Sequence, residues 1–174
     1  MTGKEFIQAV ANGRVDVVSL LLSILDEAGA DYCVVGGLAV NAYAEPVVSL
    51  DLDVVVVAHR LDTVVTAARA RGMGVLECAL SVNLSAVGSD LRVQLQTDAR
   101  YQDFVARRER RSVLGYEMWV ARLADVVQGK IWAYLDPARR KSKRQKDLSD
   151  LMRLVESHPL LKDALPPAIR EQVD

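Results

Sequence analysis

Two carboxylates set the chemistry open to this chain. Asp51 and Asp53 lie in the run Ser49-Leu50-Asp51-Leu52-Asp53-Val54-Val55-Val56-Val57. If the run is a strand, residues at i and i+2 share a face, so both acids project side by side. Adjacent like charges are costly unless a cation sits between them. Oxygen ligands on a rigid strand suit Mg²⁺ (or Mn²⁺). Upstream, Val34-Val35-Gly36-Gly37-Leu38 reads as a strand followed by a glycine turn that opens a helix. Such a turn offers free N–H groups to an anion. The two parts together describe a site for a metal-bound nucleoside triphosphate (NTP). The plainer alternative is an ordinary turn and strand-edge acids that oppose aggregation. Against it, the acids lead into a valine run typical of a buried central strand, where a carboxylate needs a partner.

The elements that must carry these residues follow from periodicity. Thr2-Gly3-Lys4-Glu5 has capping-box spacing for a first helix. Val18, Leu21, Leu22 and Leu25 predict a core-facing helix from Val15 to about Ala28, ended by Gly29. Strands are predicted at 31–35 and 50–57, with a short helix at 38–44 between them and another at 61–71. Two or three strands are expected across 75–80, 82–85 and 91–96. A helix is expected over 101–111, whose basic end (Arg107, Arg108, Arg110, Arg111) is either a solvated terminus or an RNA or phosphate contact. Val113 to Val120 reads as a hairpin edge or a last strand.

The C-terminal third adds further charged candidates. A helix over 121–135 has Leu123, Val126, Val127, Ile131 and Tyr134 as its stripe, and Lys130 falls within it. A lysine facing the core must find an anion, here the strand carboxylates or a triphosphate, unless it snorkels to the surface. Arg139 to Lys146 holds six basic residues in eight. Such a run reads as a solvated loop that can also trap phosphate or an RNA backbone. Lys146-Asp147-Leu148-Ser149-Asp150-Leu151 then opens a helix with Leu148, Leu151, Leu154 and Val155 inward.

Gly-Gly, thirteen residues and Asp-x-Asp together resemble the nucleotidyltransferase superfamily of polymerase-β-like fold. Val127-Gln128-Gly129-Lys130-Ile131-Trp132-Ala133 and the Lys-Asp-x-x-Asp segment at Lys146 look most like the minimal nucleotidyltransferases and the AbiE-type toxins. The resemblance spans Ala30 to Glu156. It implies an α+β fold: a small mixed sheet with helices in residues 1–120, and a C-terminal helical extension, 121–174, closing the cleft. It further implies Asp51 and Asp53 as catalytic metal ligands, Gly36 and Gly37 as nucleotide-binding, Lys130 on the nucleotide phosphates, and Asp147 as a catalytic partner; Asp150 reads as an acid stabilised at the helix N-terminus or paired with the basic run, a supporting place at most. The superfamily's third carboxylate would fall on the strand Leu91–Gln96. Alternation puts Arg92, Gln94 and Gln96 on that face, with no acid before Asp98. The implied reaction moves a nucleotidyl group from an NTP to an acceptor hydroxyl on RNA (tRNA), protein or a small molecule. A toxin would bring a cognate antitoxin. Loss of the third acid leaves open a nucleotide- or RNA-binding pseudoenzyme.

Bulk composition bounds these readings. The chain has 174 residues, 51% apolar and 26% charged, with net charge −1. It has no overall pull toward nucleic acid or membrane. Cys33 and Cys78 read as buried thiols of a cytoplasmic protein, not as a disulfide. No apolar run reaches the ~18 residues of a membrane span, and no signal peptide is read at the N-terminus.

Overall fold

The computed structural model describes residues 1–174. Seven strands form one mixed sheet in the order β3-β4-β5-β2-β1-β7-β6. In chain order these are β1 (Tyr32–Val35), β2 (Asp51–Val56), β3 (Gly74–Glu77), β4 (Ser81–Ser85), β5 (Arg92–Gln96), β6 (Glu109–Val113) and β7 (Tyr116–Val120). β2 runs antiparallel to β1 and parallel to β5. The helices are α1 (Gly3–Val10), α2 (Val17–Glu27), α3 (Gly36–Val40), α4 (Leu61–Ala70), α5 (Gln102–Ala106), α6 (Leu123–Leu135), α7 (Lys141–Ser157) and α8 (Pro167–Arg170). No helix is long and apolar enough to cross a membrane.

The N-terminal signals act as expected. Thr2 and Glu5 complete the capping box of α1. Val18, Leu21 and Leu25 of α2 are buried. β2 is central, and Leu52, Val54, Val55 and Val56 are buried almost completely. The apolar core is one cluster that includes Val126, Ile131, Leu148, Leu151 and Leu154. α6 and α7 therefore share the core of the sheet.

Register carries the site. Asp53 lies beside Val35 on one side and Gln94 on the other. Gln94 in turn faces Asn83, and Asn83 faces Leu76. One row of positions thus crosses five strands, from β1 to the edge strand β3.

Three expectations are corrected. The helix over 101–111 stops at Ala106, and residues 109–113 form β6. A two-residue turn, Leu114 (φ 50°) and Gly115 (φ 83°), returns the chain into β7. Both central residues have φ > 0, the geometry that matches strand twist in a hairpin. Pairing with β7 overrides the helical propensity of an arginine-rich run. Three of its four arginines pair with acids of the protein. Arg107 forks onto Asp125 at 2.9 Å for both bonds. Arg108 pairs with Asp31 and stacks on Trp119, and Arg111 bonds Glu109 and covers Tyr43. Arg110 lies over the Trp119 ring, with no acid paired to it. Second, the basic run 139–146 is not a loop, because from Lys141 onward it is the first turns of α7. Third, Cys78 is exposed, whereas Cys33 is buried, with its thiol pushed up to about 12 by burial.

Candidate active site

The glycine turn meets the acids directly. Gly36 has φ 69°, and a Cβ there would lie 2.2 Å from Asp53 Oδ2. Only glycine allows both the left-handed backbone and this approach. Gly37 is under no such demand, since its Cβ would sit 3.5 Å from Ser49 Oγ, an ordinary contact. Ser49 is buried, and its hydroxyl accepts a hydrogen bond from the Asp51 N–H at 3.3 Å. That bond braces the entry to β2.

Asp51 and Asp53 share the cleft face of β2, as alternation requires, and both line a cleft of about 690 Å³. Asp53 is half-buried. Burial first, and the neighbouring charge of Asp51 second, push its carboxyl up to about 6, while the charge of Lys130 pulls it down. Asp51 is bonded by Arg92 Nε at 2.9 Å, and Lys143 Nζ approaches to 3.7 Å.

Lys130 is buried and does not snorkel to the surface, but its partners are not the β2 acids. Its ammonium lies 2.7 Å from Asp150 Oδ2 and 3.0 Å from Asp147 Oδ1, both buried on α7. Burial alone would lower its pKa. The paired charges of Asp150 and Asp147 outweigh burial and hold it above the ordinary lysine value. The network extends at both ends. Arg139 Nε donates to Asp147 Oδ2 at 2.7 Å, and Arg153 Nη1 donates to Asp150 Oδ1 at 2.9 Å. Arg153 also reaches Asn41 Oδ1 at 3.0 Å and the carbonyl of Glu45. Asn41 holds Val47 through both its amide atoms. α7 is thus tied to the loop that feeds β2.

The structure brings Gly36, Asp51, Asp53, Lys130 and Asp147 to one cleft, joined by Arg139, Lys143, Arg92 and Tyr101. Gly129 lies against Tyr101, with room for no more than a tight Cβ at 3.3 Å from the ring. Sequence reasoning gave Asp150 a supporting place only, yet it is the nearer of the two acids on Lys130. It passed over Arg153 altogether, which has no motif to mark it. Arg92 was legible, since alternation had already placed it on the acid face.

The place beside Asp53 on β5 is held by Gln94. No three His, Cys, Asp or Glu side chains converge anywhere as a metal-binding group. Two carboxylates on one strand face nevertheless fit Mg²⁺, which keeps several waters and is bound through one or two carboxylates plus substrate phosphates.

No family model matches the chain, and no curated protein matches it. Solved structures do. ANT(2'')-Ia in complex with adenylyl-2''-tobramycin is 14% identical, with 90% of this chain and 94% of that chain covered at a TM-score of 0.61. The lincosamide antibiotic adenylyltransferase LnuA, lincomycin-bound, is 9% identical, covering 79% and 95% at 0.56. A nucleotidyltransferase-like protein from Paracoccidioides brasiliensis is 18% identical, covering 96% and 84% at 0.52. The chain has the polymerase-β-like nucleotidyltransferase fold, an α+β arrangement of mixed sheet and helices.

Proposed function

We propose that the protein transfers a nucleotidyl group from an NTP to an acceptor hydroxyl. One observation carries this reading: the paired acids of β2 and the pre-set Lys130 line the same cleft of the nucleotidyltransferase fold. Asp51 and Asp53 would hold a divalent cation, Mg²⁺ or Mn²⁺, shared with the triphosphate. When bound, that ion neutralises phosphate charge and activates the attacking oxygen. Gly36 keeps the floor beside Asp53 open. Lys130, Arg139 and Lys143 supply positive charge to the triphosphate, and Asp147 and Asp150 fix the Lys130 ammonium before substrate arrives. The acceptor oxygen bonds to the α-phosphorus and the bond from that phosphorus to the bridging oxygen breaks. Pyrophosphate leaves with the electron pair, and the hydroxyl proton passes to water. Residues 121–174 close the cleft over residues 1–120. The work of the site is positioning and charge.

The basic run supports an RNA acceptor less than its composition suggests, because Arg139 and Lys143 are given to the triphosphate and Arg144 is engaged by the Tyr134 carbonyl. A small-molecule acceptor, the kind named for ANT(2'')-Ia and LnuA, accords better with this. A second reading, an NTP-binding protein without transfer, draws on Gln94 in the place of the third acid. α-³²P-labelled NTPs, Mg²⁺ or Mn²⁺, and cell extract separate the two. Label moved to an acceptor by the native protein, but not by Asp51→Asn/Asp53→Asn, is expected. NTP binding by calorimetry with no label under any condition selects the second reading.

A further inference from the structure

The cleft continues past its acids. Beyond β2 its floor runs over β5 and β4 to the edge strand β3, by way of Arg92, Gln94, Asn83, Ser85 and Leu76. With Lys130, Arg139 and Lys143 marking the triphosphate side, this floor is the remaining approach to the α-phosphorus. It contains no acid, and Arg92 is its one charge. The other acids around the cleft are taken: Asp125 by Arg107 and Arg122, and Asp147 by Lys130 and Arg139. Arg92 has a single ion-pair partner, Asp51. Once Asp51 binds a cation, the Arg92 guanidinium, 68% exposed, is left over a neutral floor. A guanidinium so placed forms charge-assisted, bidentate bonds with a phosphate or carboxylate.

We propose that the β3–β5 half of the cleft is the acceptor subsite, and that it takes a small hydroxyl compound bearing a phosphate or carboxylate, received by Arg92. This rests on the nucleotidyl-transfer reading. Gln94 and Asn83, adjacent in one row, offer amides to the acceptor's hydroxyls, and Leu76 offers an apolar rim that is 63% exposed. A polyamine finds a cation here and no free carboxylate. A nucleic-acid strand needs a line of cations, and this floor has one.

The test uses the full chain and three probes: glycerol 3-phosphate, glycerol and tobramycin. Asp51→Asn releases Arg92 without a metal ion. NMR follows the Arg92 Nε–H and the side-chain amides of Gln94 and Asn83. Glycerol 3-phosphate is expected to shift these signals saturably in Asp51→Asn, about tenfold more tightly than in Asp51→Asn/Arg92→Gln. Asp51→Asn/Arg92→Lys should retain part of that gain. Equal binding by the Gln double variant, still Arg92 signals, or matching shifts with glycerol or tobramycin would overturn the proposal. A short RNA oligonucleotide that binds more tightly than glycerol 3-phosphate through Arg92 would overturn its small size. Calorimetry of an NTP with the native protein separates the two readings. If the NTP does not bind, nucleotidyl transfer falls and the subsite with it. If it binds and the Arg92 signals do not move, the acceptor proposal alone falls.

Discussion

On the β2 side of the cleft, Asp51 is held by Arg92, a largely exposed side chain, at 2.9 Å, with Lys143 farther off at 3.7 Å. On the α6–α7 side, Lys130 is enclosed between Asp150 and Asp147, and Arg153 and Arg139 complete the far faces of those acids. Both sides carry opposite charges in contact, yet they do different work. Exposed pairs contribute little and exchange partners at low cost. Buried pairs are expensive to break, because the survivor is left charged and dry. Asp51 is therefore free to release its cations to a ligand. The lysine is set in place beforehand, and its position does not depend on the ligand.

Breaking the buried side should have the largest effect. Asp150→Ala leaves Lys130 short of one partner and Arg153 without its carboxylate, and a loss of ~3–5 kcal/mol in unfolding free energy is expected. Denaturant titration reads it, and a loss under ~1 kcal/mol would place the network among ordinary surface pairs.

Asp53 comes next, through pH. Its carboxyl titrates at about 6 in the folded chain, against 3.8 for an unperturbed one. The folded state therefore binds more protons between these values. The contribution of this group to the stability of the ligand-free protein should be greatest below pH ~4, fall as pH rises through ~6, and level off above. The total from this group is at most ~3 kcal/mol. Asp53→Asn should flatten that part of the profile and be the more stable protein at pH 8. An unchanged slope between pH 4 and 6 in the variant would refute the assignment.

Gly36→Ala follows, at ~2 kcal/mol. It combines a left-handed backbone, ~1–2 kcal/mol for a residue with a Cβ, with the contact on Asp53 Oδ2. Gly37→Ala, where nothing is crowded, should stay within ~0.5 kcal/mol of the native protein. Equal effects at the two glycines would remove the distinction drawn between them. Asp51→Asn should also have a small effect, below ~1 kcal/mol on stability, because Arg92 is largely exposed and Lys143 lies farther off. The same change should abolish label transfer. That split between stability and activity is the sharpest test of the comparison.

Much of the fold was legible because its signals are local. Alternation in Leu50–Val57 and the glycines before it placed Asp51, Asp53 and Gly36 together. The 3.6-residue stripe of α6 put Lys130 among its apolar residues and left open whether the side chain snorkels out; burial decided that it stays in. The failures lie where long-range partners overrule local preference. Residues 109–113 are arginine-rich and helix-compatible, but β7 pairs with them, and the rings of Trp119 and Tyr43 accept the guanidinium faces of Arg110 and Arg111. Residues 141–146 carry charges that repel one another and oppose the helix dipole. They are helical because Asp51 and the Tyr134 carbonyl take up Lys143 and Arg144, and because the leucines behind them bury against the core.

Strand periodicity needs no partner to be read, so the acid pair and its shared face could be told from residues 50–57 alone, and alternation left residues 91–96 without an acid on the face of Arg92, Gln94 and Gln96. Tertiary structure decided which anions meet Lys130. Asp147 and Asp150 are one helical turn apart and both face α6, so the choice between them and the β2 acids depended on how α7 packs. It also decided that Arg92 rests on Asp51. That contact required β5 to lie parallel to β2 with Arg92 beside Asp51, a register set by the burial of Leu52, Val54, Val93 and Leu95 on the opposite face.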